Sequence, residues 1–131
     1  MARVLETPVQ QRFSDIDPFM HVNNVAQQAY FDVGKVDFYS KVLGAEVLLG
    51  DLRIVTVSTS TSYIGQVRLY DDVRVLTTCE KVGNKSITLF QRLVVGGQTL
   101  SESRSVMVVF SFARQSGEPV PAAWRESLLS E

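Results

Sequence analysis

FSDIDPFMHVNNV, from Phe13 to Val25, sets two acids, a proline, the chain's one histidine and two asparagines directly ahead of a long amphipathic run. How that run is read decides the fold. From Asn24 to about Leu43 the grammar is helical, with Val22, Val25, Ala26, Ala29, Tyr30, Val33 and Val36 recurring at three- and four-residue spacing. Asn23 or Asn24 supplies an N-cap, and Gly44 a stop just past Leu43. Pro18 disfavours helical geometry at Asp17, so the polar stretch itself is extended or turning. A helix of roughly twenty residues is about 30 Å long, enough to cross a five-stranded sheet.

Both flanks of the helix read as β. Val4 to Phe13 is a first strand, with an edge-type interruption at Pro8. Leu52 to Tyr63 (LRIVTVSTSTSY) is rich in β-branched residues. Asp71-Asp72 marks a turn before a strand from Val73 to Lys81, and VGNK, Val82 to Lys85, suits a tight hairpin. Ser86 to Val95 alternates, with Ile87, Leu89, Leu93 and Val95 on one face and Ser86, Thr88 and Arg92 on the other. Gly96-Gly97 turns into a long strand, Leu100 to Ala113, whose apolar residues on both faces predict burial on both sides near its end. QSGEPVPAAW then leaves the sheet, because Pro119 and Pro121 block pairing. The fold class is α+β: a five-stranded antiparallel sheet covered by one long helix. One helix cannot cover both sheet faces, so self-association is expected.

The bulk properties narrow the function classes. A chain of 131 residues makes one domain, residues 1–131, and 45% hydrophobic with 21% charged residues is a globular composition. Net charge is -1, which supplies no general field for nucleic acid or anionic membrane. No apolar run approaches membrane-spanning length and MARVLETPVQ lacks a signal-peptide core, so a cytoplasmic setting is expected. Cys79 is the one cysteine, and with a single histidine the chain offers no metal site of three or four good ligands. Mid-strand, Cys79 reads as an inert packed thiol.

The segment FSDIDPFMHVNNVAQQAYFD, followed by one helix, YDDVRVLTTCEKVGNKS and a last long strand, resembles the hotdog-fold acyl-CoA thioesterases, in particular the 4-hydroxybenzoyl-CoA thioesterase type. The likeness runs from about Val9 to Phe112. It implies a hotdog fold, a sheet wrapped around one central helix. It implies at least a homodimer, often a dimer of dimers and so a homotetramer, with active sites at subunit interfaces. Carried over residue by residue, the catalytic carboxylate falls on Asp17, and the backbone N–H that polarises the thioester carbonyl falls at about Asn24. His21, Asn23 and Asn24 match the H-V-N-N pattern of plant acyl-carrier-protein thioesterases, where an aspartate and this histidine are implicated. Two departures stand out. Phe19 replaces the catalytic asparagine of the plant enzymes, and Gly83 and Asn84 replace a phosphate-holding basic run of which only Lys85 is kept.

The implied reaction is hydrolysis of an acyl-CoA thioester, with coenzyme A as part of the substrate and no other cofactor. An ionised carboxylate either attacks the carbonyl or takes a proton from water, and a free helix N-terminus stabilises the oxyanion. Asp17 is read as that carboxylate, His21 as an orienting or polarising group and Asn24 as the donor. Lys85, Lys81 and Arg92 are candidates for coenzyme A, with Arg104 behind them. Asp15 is read as a structural turn acid, Tyr30 and Phe31 as core, and Thr59 and Thr61 as groups that approach a neighbour's Asp17. The alternatives are an acyl-carrier-protein thioesterase, which needs a basic rim, and a non-catalytic acyl-CoA-binding module. A hotdog hydratase is disfavoured, because that motif places its histidine five residues after the aspartate, whereas here the separations are four from Asp17 and six from Asp15.

Overall fold

The computed structural model describes residues 2–131. Its elements are β1 (Val4–Val9), α1 (Asn24–Leu43), β2 (Leu52–Tyr63), β3 (Val73–Val82), β4 (Ser86–Val95), β5 (Gln98–Ser111), a two-residue β6 (Ser116–Gly117) and α2 (Ala122–Leu129). Strand order is β1-β3-β4-β5-β2, antiparallel throughout, with β6 paired to β5. The β3–β4 and β4–β5 hairpins turn at Gly83–Lys85 and Gly96-Gly97; both glycines of the second turn adopt positive φ, which type I′ geometry requires. The sheet curls around α1, and its concave face meets the helix through Val75, Thr77, Leu89, Gln91, Met107 and Val109, all buried.

The bounds of α1 agree with the sequence reading, but the buried stripe agrees only at Val22, Ala26 and Tyr30. Ala26, Tyr30, Phe31, Gly34, Phe38, Tyr39 and Val42 face inward. Val25, Ala29, Val33 and Val36 point to solvent, Val25 with 80% of its surface exposed. The helix is apolar around most of its circumference, and the sheet takes the side that combines large aromatics with a glycine. At Gly34 the helix comes so near that an added Cβ would lie 2.6 Å from Val75 Cγ1.

Two packed clusters result. One, at the N-terminal half of α1, joins Val22, Ala26, Tyr30 and Phe31 to Val73, Val75 and Leu93. The other, at its C-terminal half, joins Phe38, Tyr39 and Val42 to Cys79, Ile87, Leu89, Met107 and Leu128.

Three other expectations are corrected. β1 ends at Val9, and Phe13–Asp15 forms a single 3₁₀ turn instead of continuing the strand. The segment after β5 returns briefly to the sheet as β6, then forms α2, which starts after Pro121 and buries Leu128 against the core. Burial on both faces of β5 holds only for the concave side; Val106, Val108 and Phe110 are half-buried on the convex side and Phe112 is exposed. Cys79 is buried as expected, and burial pushes its thiol pKa up. No helix among the described residues is long and apolar enough to cross a membrane.

β2 closes the sheet at one edge, so its outer rim of backbone N–H and C=O groups has no strand partner in the protomer. No charged side chain interrupts it from Ile54 to Tyr63.

Candidate active site

The polar stretch closes into a tight loop on top of α1. Asp17 N–H donates to His21 O at 2.9 Å, and Met20 N–H to Asp17 O at 3.0 Å, with Met20 at φ 67°. An isolated bridge Ile16–Val22 closes the loop, and the bridge His21–Arg68 with Val22 N–H donating to Val67 O pins it to the body. Within it, Asp17 Oδ1 accepts the N–H groups of Phe19 (2.9 Å) and His21 (3.3 Å). Oδ2 accepts nothing among the described residues, so one carboxylate oxygen is fixed and the other is free.

The helix start is equally defined. Asn23 caps α1 through Oδ1, which accepts Ala26 N–H at 2.7 Å, while Asn23 O accepts Gln27 N–H. The N–H groups of Asn24 and Val25 have no acceptor among the described residues. They are the orphan donors that every helix N-terminus leaves, carrying the positive end of its dipole. Asp17, Asn23, Asn24, Val25 and Ala29 line one open cleft of about 550 Å³.

Asp15 is spent on structure. Its Oδ2 accepts both the Tyr30 hydroxyl at 2.6 Å and Arg12 N–H at 2.9 Å, and its backbone O takes Asn23 N–H. Burial, reinforced by that contact with Asp15, pushes the Tyr30 pKa up, so Tyr30 stays a donor. Helical spacing marks Tyr30 as core and carries no sign of this tie to the loop. His21 is linked to Asp17 through its own backbone N–H and C=O, the former donating to Asp17 Oδ1, and its ring has no hydrogen bond among the described residues.

The basic candidates lie elsewhere. Lys85 sits in the β3–β4 hairpin, whose Asn84 O accepts Val120 N–H and whose Val82 and Gly83 carbonyls accept from Arg125. That hairpin belongs to the C-terminal end of α1, whereas Asp17 belongs to the N-terminal end. Lys81 is exposed beside a β3 irregularity, and Arg92 lies on the convex face, donating to Thr99 Oγ1 at 3.3 Å. Arg104 is occupied by Glu80 in a forked pair at 2.9–3.1 Å. One protomer therefore does not bring Asp17 and Lys85 together. The cations near the Asp17 loop are instead Arg12 and Arg68. Thr61, on the inner face of β2, accepts Gln28 Nε2 from its own α1 at 2.8 Å.

A larger groove of about 690 Å³ runs between β1 and the outer flank of α1. Its Thr7 hydroxyl and Lys41 ammonium are both bound to Asp37, and its other carboxylate, the exposed Asp32, lies mid-helix, away from the unpaired N–H groups of the helix start. The chemistry favours the smaller cleft. No group of three or more metal-ligating side chains occurs among the described residues.

Residues 11–128 match the family model for the thioesterase-like superfamily. The chain belongs to that superfamily. It is 31% identical over 83 residues to the uncharacterized protein YsmA of Bacillus subtilis (strain 168), a match that covers 62% of this chain and 54% of the relative. The chain thus spans about half the length of that curated relative. A predicted thioesterase from Bacillus stearothermophilus has the same fold, with TM-score 0.88 and 27% identity over 96% of this chain and 94% of that one. So does a thioesterase from Thermus thermophilus complexed with coenzyme A and zinc, with TM-score 0.84 and 23% identity over 94% of this chain and 90% of that one. The fold is the hotdog fold, and the superfamily member described here is a thioesterase-like domain built on it.

Proposed function

We propose that this superfamily member hydrolyses an acyl-CoA thioester to the free acid and coenzyme A. The observation that carries the reading is the free Oδ2 of Asp17 beside the two unpaired N–H groups of Asn24 and Val25 in one cleft. Asp17 acts as general base or nucleophile. As base it takes a proton from water as the water oxygen attacks the carbonyl; as nucleophile it forms a mixed anhydride that water then opens. In both routes negative charge grows on the carbonyl oxygen and is met by the helix N-terminus. A well-placed donor of this kind contributes roughly 2.7–4 kcal/mol where one has been removed by mutation. The tetrahedral intermediate expels coenzyme A as a thiolate, which then takes up the proton. In this reading His21, from the same loop, orients the incoming water.

The working unit is a homodimer at least. Lys85 and Asp17 lie at opposite ends of one protomer, so Lys85, as the phosphate-binding cation, serves the thioester site of a second protomer. The unpaired, uncharged rim of β2 is the natural joint, since an antiparallel pair of such edges satisfies the backbone groups of both. The exposed Val25, Val33 and Val36 on α1 then form a second apolar face that supports a dimer of dimers. That a coenzyme A-bound thioesterase shares the fold supports the substrate class.

The test is thiol release from short, medium, long and aromatic acyl-CoAs. Turnover of at least one class is expected. Binding without hydrolysis across the whole panel would replace the reading by that of a non-catalytic acyl-CoA module.

A further inference from the structure

The side of α1 that looks toward β2 carries Asn24, Gln28 and Lys35 on one stripe. Facing it are Tyr63, Thr61 and Thr59, alternate residues on the inner face of β2. Gln28 Nε2 donates to Thr61 Oγ1 at 2.8 Å and to the Tyr63 hydroxyl at 3.0 Å, and Tyr63 OH reaches Asn24 O at 3.5 Å. One turn beyond Lys35, Phe38 and Tyr39 already pack with Met107 and Val109. The register therefore puts Lys35 level with Thr59 and Ser105, whose hydroxyls are 3.3 Å apart.

Lys35 is anomalous in this position. It is 7% exposed, yet its ammonium has one acceptor among the described residues, Asp32 Oδ1, at 3.5 Å. The Asp32 side chain is itself 73% exposed and so largely solvated. An ammonium carries three donors, and buried charge is normally held by close partners. The sheet beneath is unusual too. Ser101, Ser103, Ser105 and Gln91 are fully or almost fully buried there, and Gln91 Oε1 has no partner among the described residues. An alkyl chain would want Leu or Val at those positions.

We propose that Lys35 determines acyl specificity, and that the acyl group cleaved carries a second carboxylate at the end remote from the thioester. This rests on the thioesterase reading of the cleft. With the thioester carbonyl at the N–H groups of Asn24 and Val25, the acyl chain runs along the Gln28–Thr61 lane and its far carboxylate takes the unassigned donors of Lys35. Asn24 and Lys35 are about 16 Å apart along the helix axis, and the lysine stem leans back toward the N-terminus, leaving roughly 10 Å for the chain. That length suits a medium-chain dicarboxylic acid held as its mono-thioester. Gln28 opens the lane by releasing Thr61 and Tyr63, a rotamer change of one partly exposed side chain.

The experiment compares the wild-type enzyme on adipoyl- and suberoyl-CoA with hexanoyl- and octanoyl-CoA, then repeats it with Lys35→Met and Lys35→Arg. The wild type should favour the dicarboxylic substrates in kcat/KM by about tenfold or more, the worth of one charge-assisted hydrogen bond. Lys35→Met should erase that preference by raising KM for the dicarboxylic substrates with kcat kept, and Lys35→Arg should keep part of it. Equal cleavage of charged and neutral chains by the wild type would overturn the inference and leave the thioesterase reading standing. Cleavage of neither would overturn the inference alone, since the thioesterase reading is decided on the wider panel that includes long and aromatic acyl-CoAs. If Lys35→Met does not fold, the methyl ester of suberoyl-CoA decides on the wild type: cleavage as fast as of the free carboxylate would refute the role of Lys35.

Discussion

Replacing Gly34 by alanine sets two effects of opposite sign against each other. Alanine is the better helix former, worth about 0.5–1 kcal/mol at an interior position. The new methyl, however, would lie 2.6 Å from Val75 Cγ1, 3.0 Å from Gln91 Nε2 and 3.2 Å from Thr77 Oγ1. Val75 is fully buried between strands and cannot swing away, so the helix must lift or the sheet must yield. Overpacking of this kind costs about 1–3 kcal/mol. Gln91 also donates to Phe31 O at 2.9 Å and Thr77 Oγ1 at 3.1 Å, and each bond lost adds about 1 kcal/mol. The steric effect wins: Gly34→Ala should destabilise the protein by about 1–3 kcal/mol, roughly 4–11 °C in Tm for a domain of this size. Urea unfolding followed by circular dichroism measures it, with an unchanged slope showing that stability alone has moved. Because lifting α1 shifts the Asn24 and Val25 donors away from Asp17, turnover should fall as well. A midpoint equal to or above that of the wild type would refute the close packing of α1 on β3.

Tyr39 has a buried hydroxyl without a hydrogen-bond partner among the described residues, and burial pushes its pKa up. Tyr39→Phe should therefore be neutral or stabilising by up to about 1 kcal/mol in thermal melts, and a clear loss would reveal a partner for that hydroxyl. Tyr30→Phe should cost about 1.5–3 kcal/mol, because its hydroxyl donates to the charged Asp15 that anchors the site loop; an unchanged melting temperature would contradict this. Asp51 is held below its ordinary 3.8 by the Ser111 hydroxyl and Ala113 N–H. A lowered folded pKa means stability that is present above about pH 4 and lost as pH falls through the folded value. Asp51→Asn should lower the unfolding midpoint at pH 7 and flatten its decline in acid, whereas a decline parallel to the wild type would remove Asp51 from the account.

The β elements were largely legible because alternation and Gly-rich turns are local signals. Ile87, Leu89 and Leu93 fall on the buried side of β4 as read, and the turns fall where Gly83 and Gly96-Gly97 stand. The facing of α1 was not legible, since Val25, Val33 and Val36 make as good a stripe as the one the sheet takes. Gly34 between Phe31 and Phe38 was the available cue, as a residue without a side chain allows close approach. α2 was hidden behind Pro119 and Pro121, although a proline just ahead of AAWRESLL also marks a helix start. Asp17 and the Asn23 cap could be placed together because both belong to one turn. The Tyr30–Asp15 and Gln28–Thr61 bonds and the distance of Lys85 from Asp17 depend on topology, which spacing along the chain does not encode.

The central claim is that the free carboxylate oxygen of Asp17 does the chemistry. Asp17→Asn tests it cleanly, because the amide oxygen can still accept from Phe19 and His21 N–H and hold the loop, while the charge is gone. Thiol release on the best acyl-CoA should fall by roughly 10²–10⁴ in kcat with melting temperature and substrate binding kept. Turnover equal to that of the wild type would contradict the account.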